Sequence, residues 1–159
     1  MLKFMSRVVY PPGLVPTIIK ITQSQEIDVS GAEARAALPL FVYGTLRKGK
    51  CNHHYLHGKY DRMLTATLPG YLRVHPIMVK PHPGATVEGE LYFIKPELFH
   101  AVLQGCDHLE ELYPGELHGP DYRRLDVLVT TAEGELRAWA YVDKDVPTPE
   151  DSILRASLG

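Results

Sequence analysis

The sequence predicts an α+β fold, a small mixed, mostly antiparallel sheet of about six strands with two or three short helices. Alternation carries the strand prediction. Over residues 86–94, Val87, Gly89, Leu91 and Phe93 fall on one face and Glu88, Glu90 and Tyr92 on the other. A second pair of β-rich runs, 122–131 and 135–142, flanks a turn at Thr131-Ala-Glu-Gly134. Helical spacing is confined to short pieces, with Leu98, Phe99, Val102 and Leu103 on one face behind Pro96.

Taken in order, residues 1–37 hold two short strand-like pieces, 7–10 and 17–22, around a Pro-Pro-Gly-Leu-Val-Pro loop. They read as an N-terminal extension: an edge hairpin, an arm or a partly disordered segment. The apolar run Leu40-Phe41-Val42 is a buried strand that ends in the turn Tyr43-Gly44-Thr45-Leu46. Arg47, Lys48 and Lys50 then make the chain abruptly basic. Residues 52–57 form a short helix or loop, where His53 and His57 are four apart and can share a face. With no third ligand beside them, packing or surface roles are expected and no metal site. From 63 to 79, short β-prone pieces alternate with Pro69-Gly70 and His75-Pro76.

Gly89 inside the next strand marks a bulge or a close approach by another group. Its neighbour Glu90 is expected to be a solvated or paired carboxylate outside any active site. Gly105 ends or breaks the helix over 96–103. After the segment 106–115 and a loop at 116–121, the hairpin's returning strand sets Leu136, Ala138, Ala140 and Val142 against Arg137, Trp139 and Tyr141. One aliphatic and one aromatic face suit a sheet wrapped around a core, with its second face partly covered. Thr148-Pro149-Glu150-Asp151 opens a short C-terminal helix over 148–159, with a hydroxyl cap, an early proline and acids at the positive end. The central domain is therefore 38–147.

The 159 residues suit one domain, and 45% hydrophobic with 23% charged residues is ordinary for a globular chain. A net charge of −2 gives no reason to expect nucleic acid or an anionic membrane as partner. The basic cluster after Tyr43 is local and fits a small anionic ligand better. Cys51 and Cys106 are too few for a disulfide framework, so reduced cysteines in a cytoplasmic protein are expected. The opening MLKFMSRVVYPPG lacks a secretory h-region, and no run reaches membrane-spanning length.

The glycine turn looks like a carboxylate- or phosphate-binding corner. Glycine lets a ligand reach the peptide N–H groups, and consecutive N–H groups make a concave anion site. GTLRKGKC at 44–51 also fits a P-loop except at its last position. Cys51 stands there for the hydroxyl that holds magnesium, and a thiol is a poor ligand for so hard a cation. The parallel sheet that a P-loop needs is missing from the pattern too.

FVYGTLRKGKCNHHYL, at 41–56, resembles the opening signature of the γ-glutamylcyclotransferase-like superfamily, in particular its γ-glutamylamine cyclotransferase and AIG2-like branch. Val-Glu-Gly-Glu-Leu-Tyr at 87–92 resembles that family's second signature, and Tyr71, Leu72 and Pro76 correspond loosely to a segment that lines its site. Cys-Asp-His-Leu-Glu at 106–110, ahead of a Tyr-Arg strand, matches the segment bearing the family's catalytic glutamate, which falls on Glu110. The family has glycine or a small residue next, whereas this chain has Glu111, so a slip of one residue stays open. A capping box is the competing reading of Asp107-x-x-Glu110, in which the glutamate only satisfies a backbone N–H at a helix start.

The resemblance implies a barrel-like sheet and an enzyme that releases 5-oxoproline and a free amine from a small γ-glutamyl substrate. Because the substrate's own α-amino group is the nucleophile, no cofactor, metal or activated cysteine is implied. Tyr43, Gly44, Thr45 and Leu46 would bind the glutamyl carboxylate, and Glu110 would move the protons. Tyr122, or in second place Tyr141, would orient substrate or glutamate. A non-catalytic small-anion-binding or regulatory module on the same fold is the alternative. The leaving amine and the oligomeric state are left open by the sequence.

Overall fold

A computed structural model describes residues 37–147. The strand-like pieces expected at 7–10 and 17–22, and the helix expected over 148–159, lie outside them. The order of elements is β1 (Leu40–Val42), β2 (Tyr60–His75), β3 (Met78–Ile94), α1 (Phe99–Leu109), β4 (Tyr122–Thr131) and β5 (Gly134–Asp143). Single 3₁₀ turns at His53–Tyr55 and Pro96–Leu98 precede β2 and α1. No helix among the described residues is long and apolar enough to cross a membrane.

Five strands occur among the described residues where about six were expected. The difference arises at 63–75, which alternation breaks into pieces but the backbone runs as one strand, β2. Pro69-Gly70 is absorbed as a register shift between Pro69 and Tyr71, with Gly70 at φ 83°, and β2 stays paired with β3 on both sides of it. Only Pro76 and Ile77 form the hairpin tip.

The sheet is mostly antiparallel, in the order β1-β3-β2-β4-β5, and β5 returns to β1 through one parallel bridge, Leu40↔Trp139. Phe41 joins Leu68, Val87, Leu91, Val129, Ala138, Ala140 and Val142 in one core. Leu40 and Val42 face the other way, where Tyr92, Trp139 and Tyr141 pack with Val102, Leu103 and Cys106 of α1. A strand buried on both faces needs an unbroken apolar run, which is why Leu40-Phe41-Val42 does not alternate. The aliphatic and aromatic faces expected of β5 are these two cores.

Gly89 answers to a close approach. A Cβ there would lie 2.4 Å from the Val42 carbonyl oxygen and 2.6 Å from the Phe41 ring. Glu90 accepts from the Lys48 N–H and the Tyr92 hydroxyl, each at 2.8 Å, so it is a paired carboxylate that pins the basic turn to β3.

Gly105 does not break the helix, contrary to expectation. Helix α1 runs through it to Leu109, and the ring of Tyr55 lies 3.6 Å from where a Cβ would stand. Asp107 and Glu110 consequently mark the end of a helix, and the capping-box reading falls. The Leu112 N–H donates to the Asp107 carbonyl and the Glu111 N–H to that of His108, both at 3.0 Å. This pair of bonds is a Schellman ending, and it puts Glu111 at φ 59° in the position glycine usually takes.

Candidate active site

Beyond Val42 the chain turns through Tyr43-Gly44-Thr45-Leu46 along a cavity of about 200 Å³. The turn is tied from behind. Both the N–H and the Nε of Arg47 donate to the Gly44 carbonyl, at 3.2 and 3.1 Å. Asn52 donates its N–H to the Thr45 carbonyl at 3.0 Å and its Nδ2 to Thr45 Oγ1 at 2.9 Å. Accepting at Oγ1 leaves the Thr45 hydroxyl proton available to a ligand. The N–H groups of Gly44, Thr45 and Leu46 have no acceptor among the described residues. Three successive N–H groups with no acceptor among the described residues, in a turn that lines a cavity, suit an anion.

Gly44 is not strained. A Cβ there would meet Ile77 Cγ2 at 3.8 Å, so the missing side chain keeps the space toward Ile77 open. The P-loop reading fails on topology, because β1 pairs antiparallel with β3 and only a 3₁₀ turn follows the glycines.

Glu110 and Leu109, at the end of α1, line the same cavity, as do Phe41, Val42, Asn52, Ile77 and Tyr141. Glu111 is exposed and does not line it. The Glu110 carboxylate is half-buried and has no side-chain hydrogen bond among the described residues. Burial, and after it the charge of Glu111, push this carboxyl up to about 7.

An adjoining network fixes the helix end. Arg124 donates from Nε and Nη2 to the two Asp107 carboxylate oxygens at 2.8 and 3.0 Å, and its guanidinium lies over the Trp139 ring, 4.5 Å from the centroid. The Tyr141 hydroxyl donates to Asp107 Oδ1 at 2.6 Å, while its carbonyl accepts from the Tyr43 hydroxyl, also at 2.6 Å. Asp107 so ties α1 to β4 and β5 one helical turn before Glu110. Burial above all raises the pKa of Tyr43, Tyr122 and Tyr141 and keeps them protonated. At Tyr122 the nearby Glu110 charge is the next cause.

Of the residues expected at the site, Tyr43, Gly44, Thr45, Leu46 and Glu110 come together around one cavity, and Tyr122 is not part of its wall. The Tyr122 hydroxyl donates to the Ile77 carbonyl. Tyr71, Leu72 and Pro76 do not line the cavity either, since the hairpin turns Ile77 toward it in their place. Arg47, Lys48 and Lys50 also contribute nothing to the wall, the lysines being exposed. Asn52, which stands in the opening signature, is a wall residue beyond those expected. Ile77 carried no signal at all.

His53 is a packing residue: Nδ1 lies 3.0 Å from the Leu46 carbonyl and the ring packs beside Tyr92 and Tyr60. No three His, Cys, Asp or Glu side chains cluster as a metal-binding group among the described residues. Cys51 is exposed, Cys106 is buried, and neither is in a disulfide.

Residues 40–157 match the family model described as gamma-glutamyl cyclotransferase, AIG2-like. A Drosophila melanogaster protein named provisionally as a gamma-glutamylcyclotransferase is 26% identical over 138 residues, covering 78% of this chain and 79% of the relative. The gamma-L-glutamyl-butirosin B gamma-glutamyl cyclotransferase of Niallia circulans is 32% identical over 109 residues, 65% of each chain. Two solved structures share the fold. YkqA from Bacillus subtilis superposes with a TM-score of 0.52 at 24% identity over 76% of this chain, which spans only 42% of YkqA. An Arabidopsis thaliana protein known from a solution structure gives 0.50 at 18% identity, covering 76% of this chain and 83% of the other. The sequence signatures, the fold and a family model that takes in more than half of the length agree: the chain belongs to the gamma-glutamyl cyclotransferase, AIG2-like family.

Proposed function

We propose that this chain, through a domain spanning 38–147, cyclises a small γ-glutamyl compound and releases 5-oxoproline and a free amine. The observation that carries the reading is the cavity shared by Glu110 and the Gly44–Leu46 turn. The glutamyl α-carboxylate is held by the N–H groups of Gly44, Thr45 and Leu46 and by the Thr45 hydroxyl. Its α-amino group then attacks its own γ-carbonyl. A ring C–N bond forms, the amide bond to the leaving amine breaks, and one proton passes from the attacking to the departing nitrogen.

Glu110 carries that proton, first as base and then as acid, which contributes about 10²–10⁴-fold. A carboxyl at about 7 can do both near neutral pH. Fixing amine and carbonyl in contact supplies much of the remaining acceleration. Tyr122, from outside the wall, donates to the carbonyl of Ile77 and so positions that wall residue. The Niallia circulans relative is named for a gamma-glutamyl butirosin, so the substrates to try include large leaving amines as well as γ-glutamyl amines and amino acids. The test is a panel of these compounds incubated with the protein and read by mass spectrometry for 5-oxoproline. Release from at least one member is expected. Weak binding of 5-oxoproline or glutamate without any turnover points to the non-catalytic module instead.

A further inference from the structure

Ten of the eleven residues around the cavity are buried or half-buried, and one is exposed: Ile77, at 45%. The exposed part of the wall marks the mouth, and Ile77 stands there. Its place is fixed by the backbone. The Ile77 carbonyl accepts from the Tyr122 hydroxyl and lies 3.3 Å from the hydroxyl of Tyr43, whose proton goes to the Tyr141 carbonyl. Arg73 bridges the Pro76 carbonyl at 2.6 Å and the Tyr43 carbonyl at 2.7 Å, so the hairpin tip is fastened to the end of β1. The side chain faces Gly44, with Cγ2 3.8 Å from where a Cβ would stand.

Size decides what passes this point. At about 200 Å³ the cavity is smaller than the roughly 300–1,000 Å³ of pockets that enclose drug-sized ligands. A glutamyl group suits it, and the leaving amine must extend through the mouth. Leu72 and Val74, also exposed, do not prolong the contact. They lie on the face of β2 opposite Arg73, which is the residue that reaches Tyr43.

We propose that Ile77 is a specificity-determining residue, packing on the first methylenes of the leaving amine as it emerges from the cavity. The favoured leaving group is then an alkyl or arylalkyl amine. This rests on the cyclotransferase reading for its chemistry, while the contact itself is a matter of binding.

The test uses γ-glutamyl-methylamide and γ-glutamyl-hexylamide. Binding is measured by calorimetry in a Glu110→Gln background, where turnover does not consume the ligand, with Ile77 kept or changed to Ala or Asp. Both changes keep the carbonyl that Tyr122 holds. Release of 5-oxoproline is measured with Glu110 in place. With Ile77 present, the hexylamide binds about 5–20-fold more tightly than the methylamide. Ile77→Ala brings that ratio below about 3, and Ile77→Asp lowers it further. The same ratio in all three proteins, or no binding of either amide when Ile77 is present, overturns the proposal. The expected ratios with no 5-oxoproline from either amide uphold Ile77 and count against the cyclotransferase reading alone.

Discussion

The Glu110 carboxyl, held up to about 7 by burial and by Glu111, titrates in the range where the proposed reaction runs. As a base it must be ionised, so kcat/KM rises with pH up to about 7 and levels off above it. Glu111→Gln removes a charge that raises Glu110 and moves this limb to lower pH, which rate measurements between roughly pH 5 and 9 will read. Stability runs the opposite way. The folded carboxyl lies above its ordinary value of 4.5, so the folded state binds more protons between there and about 7. Stability is lost as pH rises through that window, and Glu110→Gln gains on the parent protein above it. Glu111 itself sits at φ 59°, a conformation that disfavours any side chain. Glu111→Gly relieves that strain at some cost in unfolded-chain entropy, and should stabilise by about 0.5–1 kcal/mol in denaturant titrations.

At the scale of elements, α1 and its attachment decide where Glu110 points. Asp107 receives two bonds from Arg124 and one from Tyr141, and it is the residue that fastens the helix end to the sheet. Asp107→Asn keeps the shape but loses the charge that Arg124 faces. It should cost about 2–4 kcal/mol by thermal or chemical unfolding and lower turnover in the protein that remains folded. The helix was only half legible in the sequence. Its apolar stripe was plain, but Gly105 reads as a stop when the Tyr55 ring that packs on its bare face is out of view. Asp107-x-x-Glu110 misleads for a related reason, because a spacing of three is the same at either end of a helix. The strands β4 and β5 were legible almost to the residue, because two β-rich runs flank one clear turn, although 138–142 of β5 are buried on both faces and show no alternation of burial. The bounds of β2 were not, because a bulge at Pro69-Gly70 looks like a turn until the partner strand is known.

For the molecule as a whole, the two cores follow from β5, where Ala138, Ala140 and Val142 serve one and Trp139 and Tyr141 the other. The cavity is a different matter. Residues 41–46, 52, 77, 109–110 and 141 meet there from five separate segments, and no local pattern joins them. The glycine turn and Glu110 were found through resemblance to a family, which records such a meeting. Ile77 was not, because the position of a hairpin tip depends on the bulges and the Tyr122 bond that carry it. The central claim is that Glu110 transfers the proton for a reaction within this cavity. It is tested most directly by 5-oxoproline release from the best γ-glutamyl substrate by Glu110→Gln, with circular dichroism to verify the fold. A fall of about 10²–10⁴-fold is predicted, and turnover near that of the parent protein contradicts it.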